Sequence, residues 1–186
     1  GMSTLEVKAI QAPTGYDLQM PAGHILQTVS STFTGTATGT QTTPTKAHAD
    51  CGVNITPIST SSKILITVHA HMSSNGNKHA TLHLYRDSSE LSGAIGSETG
   101  GNIRSATGTG YHSSSDLPNH HTLVQRAIST QFLDSPSSTS SLEYSYRVRA
   151  RTSGSDWTLN RAYSTSTTDD ALMAPISTIT IMEIAG

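Results

Sequence analysis

The chain has 186 residues, of which 13% are charged, and its formal net charge is −2. This length suffices for one domain with a proper core but is short for two. The few charges argue against nucleic acid as a partner, and the lack of an apolar run as long as a membrane span argues against membrane insertion.

Serine and threonine, with 28 residues each, dominate the composition alongside 15 glycines. These residues favour short strands and turns over helices. The hydrophobic fraction is only 34%, but the apolar residues recur with period two, which argues against disorder. Such a low fraction also indicates burial completed between subunits. The single cysteine, Cys51, excludes an intrachain disulfide and is predicted to be a small buried strand residue, not a nucleophile.

The amino-terminal segment differs from the remainder of the chain. Gly1 is interpreted as the remnant of an expression tag, and no signal-peptide pattern follows it. Residues 4–10 alternate between apolar and charged side chains, which predicts a short strand or an extended arm. We therefore expect an arm over residues 1–22 and one β-domain over residues 23–186.

Period-two alternation predicts the strands of this domain. They are residues 25–34, 49–55, 63–72, 79–86, 123–133, 142–152, 157–163 and 176–184, with a weak strand near 90–95. Residues 35–45 are predicted to form an exposed loop. Asn75-Gly76 is the strongest hairpin signal and predicts that residues 79–86 pair with 63–72. The last strand is apolar on both faces, which places it mid-sheet or at a subunit interface.

Two stretches carry a resemblance to a known family. ITP, a Ser/Thr linker and SKILI, within residues 55–66, and STITIMEI at residues 177–184 resemble the C-terminal β-domains of bacteriophage tail fibres and related virion proteins. The order of elements is similar over roughly residues 24–186. This resemblance implies an all-β jelly-roll sandwich, similar to complement C1q or tumour necrosis factor and usually trimeric, with about eight to nine antiparallel strands.

The resemblance also implies a function. It predicts a virion tail-fibre module, assembled in the host cytoplasm, that forms a homotrimer and recognises a host cell-surface glycan or protein beside other virion tail proteins. No catalysis and no cofactor are expected, because the sequence lacks the usual nucleophile, metal and phosphate-binding motifs. The alternatives are a cellular carbohydrate-binding or C1q-like module and, less favoured, a polysaccharide-degrading enzyme.

Receptor binding is predicted in the loop at residues 96–122, which is too long for a simple connection. The candidate contacts are Tyr111 and His112 for stacking on a sugar, Asn102, Asp116 and Asn119 for hydroxyl groups, and Arg104 for an acidic group. The alternative is a surface loop without a partner. Asp116, His120 and His121 are also the best local acid and base candidates, and solvent exposure is favoured for them over catalysis.

His69 and His71 lie two residues apart on one strand face, a spacing found in many metal sites. In a trimer they could supply six nitrogens on the axis, and His79 or His83 could lie opposite, depending on the hairpin register. The favoured interpretation is that both are half-buried strand histidines bonded to Ser and Thr neighbours, so no metal is predicted.

Three arginines, Arg147, Arg149 and Arg151, alternate along one face of the strand at residues 142–152. Guanidinium groups in such a row could bind an acidic sugar or a phosphate. The favoured alternative is a solvated face or cross-strand pairs with Asp and Glu.

Overall fold

The computed structural model describes residues 20–75, 78–97, 103–109, 125–163 and 173–186. These residues form two antiparallel sheets around one shared core, with short 3-10 turns at Ala49–Cys51 and Ser92–Ala94. The all-β prediction is therefore confirmed. Within the described ranges, no helix has the length and apolar character needed to cross a membrane. Residues 1–19 of the predicted arm lie outside them.

Eleven strands occur in the described part of the chain. They are β1 (Ile25–Phe33), β2 (Ala37–Gly39), β3 (Gly52–Ile55), β4 (Lys63–Ser74), β5 (Ala80–Arg86), β6 (Ser89–Glu90), β7 (Thr107–Gly108), β8 (Arg126–Asp134), β9 (Leu142–Ala150), β10 (Trp157–Leu159) and β11 (Ser177–Ile184). Sheet A has the order β1-β11-β4-β10-β2, with β8 on the opposite edge of β4. Sheet B has the order β3-β9-β5-β6, with β7 also paired to β5.

Strand β4 is the centre of sheet A, as its alternation predicts. Its inward side chains are at most 1% exposed: Ile64, Ile66, Val68, Ala70 and Met72. Burying a side chain such as isoleucine contributes about 1.5–3 kcal/mol. Strand β11 pairs with β1 on one side and β4 on the other. This confirms the mid-sheet alternative for the final strand.

The hairpin predicted at Asn75-Gly76 is wrong. Strand β5 lies in sheet B and pairs with β9, β6 and β7 instead of β4. The reason is that both edges of β4 are already occupied, one by β11 and β10 and the other by β8. The chain therefore passes to the facing sheet after Ser74.

The segment at residues 35–45, which was predicted to be an exposed loop, contains a short strand. Strand β2 lies within it and pairs with β10. Thr45 forms a separate antiparallel bridge with Val148 of β9. Its low-complexity sequence therefore joins the edge of sheet A to sheet B.

A β-bulge changes the face on which β1 begins. The alternation places Ile25, Val29 and Phe33 on one face, but the register shifts between Ile25 and Gln27. A bulge adds one unpaired residue and reverses the alternation beyond it. Consequently Ile25 is 57% exposed whereas Phe33 is 4% exposed.

A buried carboxylate holds the corner at Pro57. Glu183 of β11 faces inward and accepts hydrogen bonds from the Gln27 amide at 2.6 Å and the Ile58 N–H at 2.7 Å. Burial alone would raise the pKa of the Glu183 carboxyl, but hydrogen bonds to the ionised form, those from Gln27 and Ile58 among them, together outweigh burial and lower it. The last strand is thereby fixed to the loop that leads into β4.

A second carboxylate ties the two sheets together. Asp134, at the end of β8, accepts hydrogen bonds from Arg86 of β5 and Tyr144 of β9, both at 2.6 Å. Burial, reinforced by the neighbouring carboxylate, raises the pKa of the Tyr144 hydroxyl far above its usual value. The phenol therefore remains a proton donor to Asp134.

Candidate functional site

The outward side chains of β5 and β9 form the base of the candidate site. Period-two alternation sends Leu82 and Leu84 of β5 into the core and turns His83 and Tyr85 outward. On β9 the same alternation turns Arg147 and Arg149 outward. The register between β5 and β9 pairs Thr81 with Arg149 and His83 with Arg147. A histidine, a tyrosine and two arginines thus lie together on the outer face of sheet B.

The described parts of residues 87–109 form a wall along the free edge of β5. Strand β6 pairs with residues 85–86 and β7 with residues 81–82. A Cβ on Gly108 would lie 2.8 Å from the Ala80 carbonyl oxygen, so β7 needs glycine to approach β5 this closely. Part of the predicted long excursion is therefore bound to sheet B and shapes the site.

A hollow of about 410 Å³ lies between this wall and the outer face of sheet B. Its polar lining is His83, Tyr85, Glu90, Arg104 and Arg149, and its apolar lining is Pro44, Ile95 and Ile103. The volume is within the usual range of small-molecule sites, which combine apolar walls with a few polar groups. We call it the sheet B hollow.

His83 is held by hydrogen bonds at both ring nitrogens. Its Nδ1 lies 2.5 Å from Glu90 Oε1, and its Nε2 lies 2.9 Å from the Thr81 hydroxyl oxygen. Burial has the largest effect on the pKa of His83 and lowers it, the Glu90 carboxylate offsets part of this shift, and Arg149 adds to the lowering. The imidazole is therefore neutral at pH 7, donating from Nδ1 to Glu90 and accepting at Nε2 from Thr81.

The chain of atoms from Thr81 through His83 to Glu90 has the order of a nucleophile, a base and an orienting acid. A nucleophile must also reach its substrate. Thr81 is 5% exposed, lies beside β7 and is not part of the lining of the sheet B hollow. In this arrangement the hydroxyl fixes the orientation of the imidazole.

The two arginines of the sheet B hollow retain unused donors. Arg149 donates to the backbone carbonyls of Ala150 and Arg151 at 3.3 and 3.4 Å. Arg104 donates from Nε to the Gly96 carbonyl at 2.8 Å. Neither forms an ion pair with a carboxylate of the described residues. Since guanidinium carries five N–H donors, both can still donate to an anion.

Arg147 has a different role from Arg149. Its guanidinium carbon lies 4.0 Å from the centre of the Tyr85 ring, and its Nη2 donates to the Asp87 carbonyl oxygen at 2.7 Å. The predicted arginine row is thus divided. Arg147 packs against a neighbour, whereas Arg149 lines the sheet B hollow. Sequence favoured either a solvated face or cross-strand acidic pairs, and neither arginine forms such a pair with the described residues.

Of the six predicted receptor contacts, the structure places one. Arg104 lines the sheet B hollow. The others lie outside the described residues, as do the acid and base candidates His120 and His121. They are Asn102, Tyr111, His112, Asp116 and Asn119.

The two candidate metal ligands share the outer face of sheet A. His69 is exposed and His71 is half-buried, with His71 Nδ1 donating to the Ile176 carbonyl oxygen at 2.9 Å. The suggestion that His79 or His83 lies opposite is wrong, because β5, which contains His83 and directly follows His79, belongs to sheet B. In the described parts of the chain, no three His, Cys, Asp or Glu residues are grouped to hold a metal ion.

Cys51 is a free thiol and is fully buried, as predicted, but it lies in the 3-10 turn Ala49–Cys51 and not in a strand. Burial raises the pKa of the Cys51 thiol. A thiol with a raised pKa and no access to solvent is a weak nucleophile.

Sequence reasoning missed His83, Tyr85 and Glu90 as members of the site. The sequence did indicate the position of His83 and Tyr85, since the alternation in HATLHLYR places them on the strand face opposite to that of Leu82 and Leu84. The expected hairpin assigned that strand to the wrong sheet. Glu90 had no signal, because only tertiary pairing brings β6 beside β5.

No protein-family model and no curated protein sequence matches the chain.

Proposed function

We propose that the chain is a receptor-binding module of a bacteriophage tail fibre, built as a jelly roll similar to complement C1q and acting as a homotrimer. It is carried on the virion beside other tail proteins, after assembly in the host cytoplasm. It binds a host surface glycan and does not catalyse a reaction. The observation that carries the proposal is the contrast between the two outer faces of the sandwich.

The outer face of sheet A suits contact with further copies of the chain. Cross-strand pairing aligns Met182, Leu65 and Leu133 in one apolar row, and Leu133 is 44% exposed. The neighbouring row is uncharged, with Thr180, Thr67 and Gln131 side by side. Among the outward positions of β1, β4, β8 and β11, Lys63 is the one formal charge. Depletion of charge is typical of interface cores.

The outer face of sheet B suits a ligand. The sheet B hollow combines guanidinium, carboxylate, imidazole and phenol groups with apolar walls. Sugars require such a combination, because their hydroxyls need hydrogen-bond partners and their C–H faces need apolar contact. Three copies on one trimer would add avidity to weak individual sites.

Assembly is tested by light scattering coupled to size exclusion. We expect a mass three times the 19.6 kDa of one chain. Leu65→Lys places a charge in the apolar row of sheet A and should give a folded monomer. Asn54→Lys is the matched control, because Asn54 is exposed on the outer face of sheet B. A monomeric parent would refute the trimer, and a trimeric Leu65→Lys variant would refute this interface.

Receptor binding is tested with the labelled parent protein on a panel of bacterial cells and on immobilised bacterial and animal glycans. Binding to bacterial surfaces that glycan-removing enzymes abolish supports the tail-fibre function. Selective binding to animal glycans would instead favour the cellular carbohydrate-binding module. Turnover of a bound polysaccharide would contradict the non-catalytic assignment.

A further inference from the structure

The sheet B hollow contains more positive than negative charge. Arg149 and Arg104 are both cationic, and the one carboxylate of the lining, Glu90, is already bonded to His83. His83 is neutral at pH 7 because burial lowers its pKa. Since the whole chain has a formal net charge of −2, this local excess of positive charge is a property of the site and not of the protein surface in general.

The two guanidinium groups come from different parts of the fold. Arg149 is fixed on β9, whereas Arg104 lies on the connecting segment and is held through its bond to the Gly96 carbonyl. The same segment is closed by the Gly96 N–H, which donates to the Ser105 carbonyl at 3.3 Å. Two separately anchored cations that line one hollow are suited to an anion held between them.

The remaining lining suits the uncharged part of a sugar. Glu90 uses Oε1 for His83, which leaves Oε2 to accept from a hydroxyl group. Ile95, Ile103 and Pro44 provide apolar surface for the C–H groups of a ring. A simple phosphate ion would use the arginines alone and leave this surface without a contact.

We propose that the sheet B hollow is a subsite for an acidic sugar, in which Arg149 and Arg104 bind the anionic group and Glu90 accepts hydrogen bonds from ring hydroxyls. This inference rests on the proposed receptor-binding function and names the ligand class of that site. The anionic group is either a carboxylate, as in a uronic acid, or a sugar phosphate. A neutral sugar of the same shape lacks the partner that the two arginines require.

The test uses the full chain and compares three probes by saturation-transfer NMR and calorimetry: glucuronate, glucose 6-phosphate and glucose. We expect an acidic sugar to bind and glucose to bind about tenfold or more weakly, because a charge-assisted bond is lost. The stronger of the two acidic probes identifies the anionic group. Equal binding of glucose and both acidic sugars, or binding of none, would overturn the proposal.

Substitutions locate the binding. Arg149→Met and Arg104→Met should each weaken the acidic probe about tenfold or more, and Arg149→Lys should retain part of the affinity. Arg161→Met removes one positive charge outside the hollow and serves as the matched control. Circular dichroism and the trimer mass show whether each variant is folded. Unchanged affinity in both Arg149→Met and Arg104→Met would overturn the assignment to this hollow.

The same variants separate this inference from the proposed function. If the parent trimer binds bacterial cells and folded Arg149→Met trimers bind them equally well, the adhesion module stands and the acidic subsite is overturned as its receptor site. If the acidic sugar binds at Arg149 but the parent binds no cell surface, the subsite is supported and the tail-fibre function fails.

Discussion

Sheet A and sheet B place most of their strand charges on opposite sides. The exceptions are Lys63 on the outer face of sheet A and Arg86 of sheet B, which reaches Asp134 between the sheets. In sheet A both strand carboxylates, Asp134 and Glu183, turn toward the interior, while the outer face is almost free of charge. In sheet B the interior is apolar and aromatic along most of β5 and β9, and Glu143, Arg147 and Arg149 turn outward. The alternation is equally regular in both sheets. The position of the charges, and not the alternation, therefore distinguishes the face proposed to contact another copy from the face proposed to bind a ligand.

The inward charges of sheet A are tolerated because each has specific partners. A buried carboxylate without hydrogen bonds would be strongly destabilising. Asp134 has Arg86 and Tyr144, and Glu183 has Gln27 and the Ile58 backbone. Each carboxylate thus fixes a junction, one between the sheets and the other at the corner before β4. Substituting these two carboxylates is the most direct test of the comparison between sheet A and sheet B.

The largest expected effect follows from Asp134→Ala. The substitution leaves Arg86 and the Tyr144 hydroxyl without their shared acceptor between the sheets, and we expect the free energy of unfolding to fall by about 2–3 kcal/mol. The value is below that of a fully buried pair because Arg86 is 32% exposed. Urea denaturation followed by tryptophan fluorescence measures it.

The matched control is Lys46→Met, which breaks the more exposed pair between Lys46 and Glu143 on sheet B. Its effect should stay below about 1 kcal/mol. Equal losses in the two variants would contradict the distinction between inward charges in sheet A and outward charges in sheet B.

A smaller effect, with a defined pH dependence, is expected for Glu183→Gln. At pH 7 the variant should lose about 1–2 kcal/mol, because the amide cannot accept at both positions where the carboxylate accepts. The pKa of Glu183 is lowered from 4.5 in the folded chain. Its stabilising contribution is therefore complete above the unfolded value and is lost as the pH falls through the folded value.

The measurement is the difference in unfolding free energy between the parent and Glu183→Gln from pH 7 to pH 3. We expect this difference to shrink at acidic pH, below about 4.5, where the carboxyl begins to be protonated. Glu143→Gln, on the outer face of sheet B, is the control and should differ little from the parent at every pH. A difference for Glu183→Gln that stays constant down to pH 3 would refute the structural role of the ionised carboxylate.

Much of the fold could be predicted because β4 and β9 bury one face completely. Five inward residues of β9 are at most 8% exposed, so their alternation is a direct consequence of burial. The pairing of strands could not be predicted in the same way. Whether residues 79–86 pair with β4 depends on which edges of β4 are free, and β8 and β11, far away in sequence, decide that.

The candidate site was predictable only in part for the same reason. Arg149 was identifiable as an outward cation on a regular strand, and Arg104 as a cation in an unusually long connection. Their common hollow also needs Pro44, Glu90 and Ile95, which only tertiary pairing brings together. Glu183 shows a different limit, because the alternation of STITIMEI places it on the same face as Ile179 and Ile181 but does not reveal which groups bond to its carboxylate there.

The smallest expected effect concerns the outward charges of sheet B. Arg147 stacks over the Tyr85 ring at 4.0 Å and donates to the Asp87 carbonyl. A cation over an aromatic ring contributes about 0.5–1 kcal/mol at an exposed site. A double-mutant cycle with Arg147→Met and Tyr85→Leu isolates this coupling from the hydrogen bond to Asp87, because that bond is lost in both variants that lack Arg147. We expect a coupling energy of about 0.5–1 kcal/mol from urea denaturation and no change in the mass measured by light scattering. A coupling of zero would mean that the Tyr85 ring does not stabilise Arg147, which is then held by its bond to Asp87 alone. A change in mass would mean that sheet B also takes part in assembly.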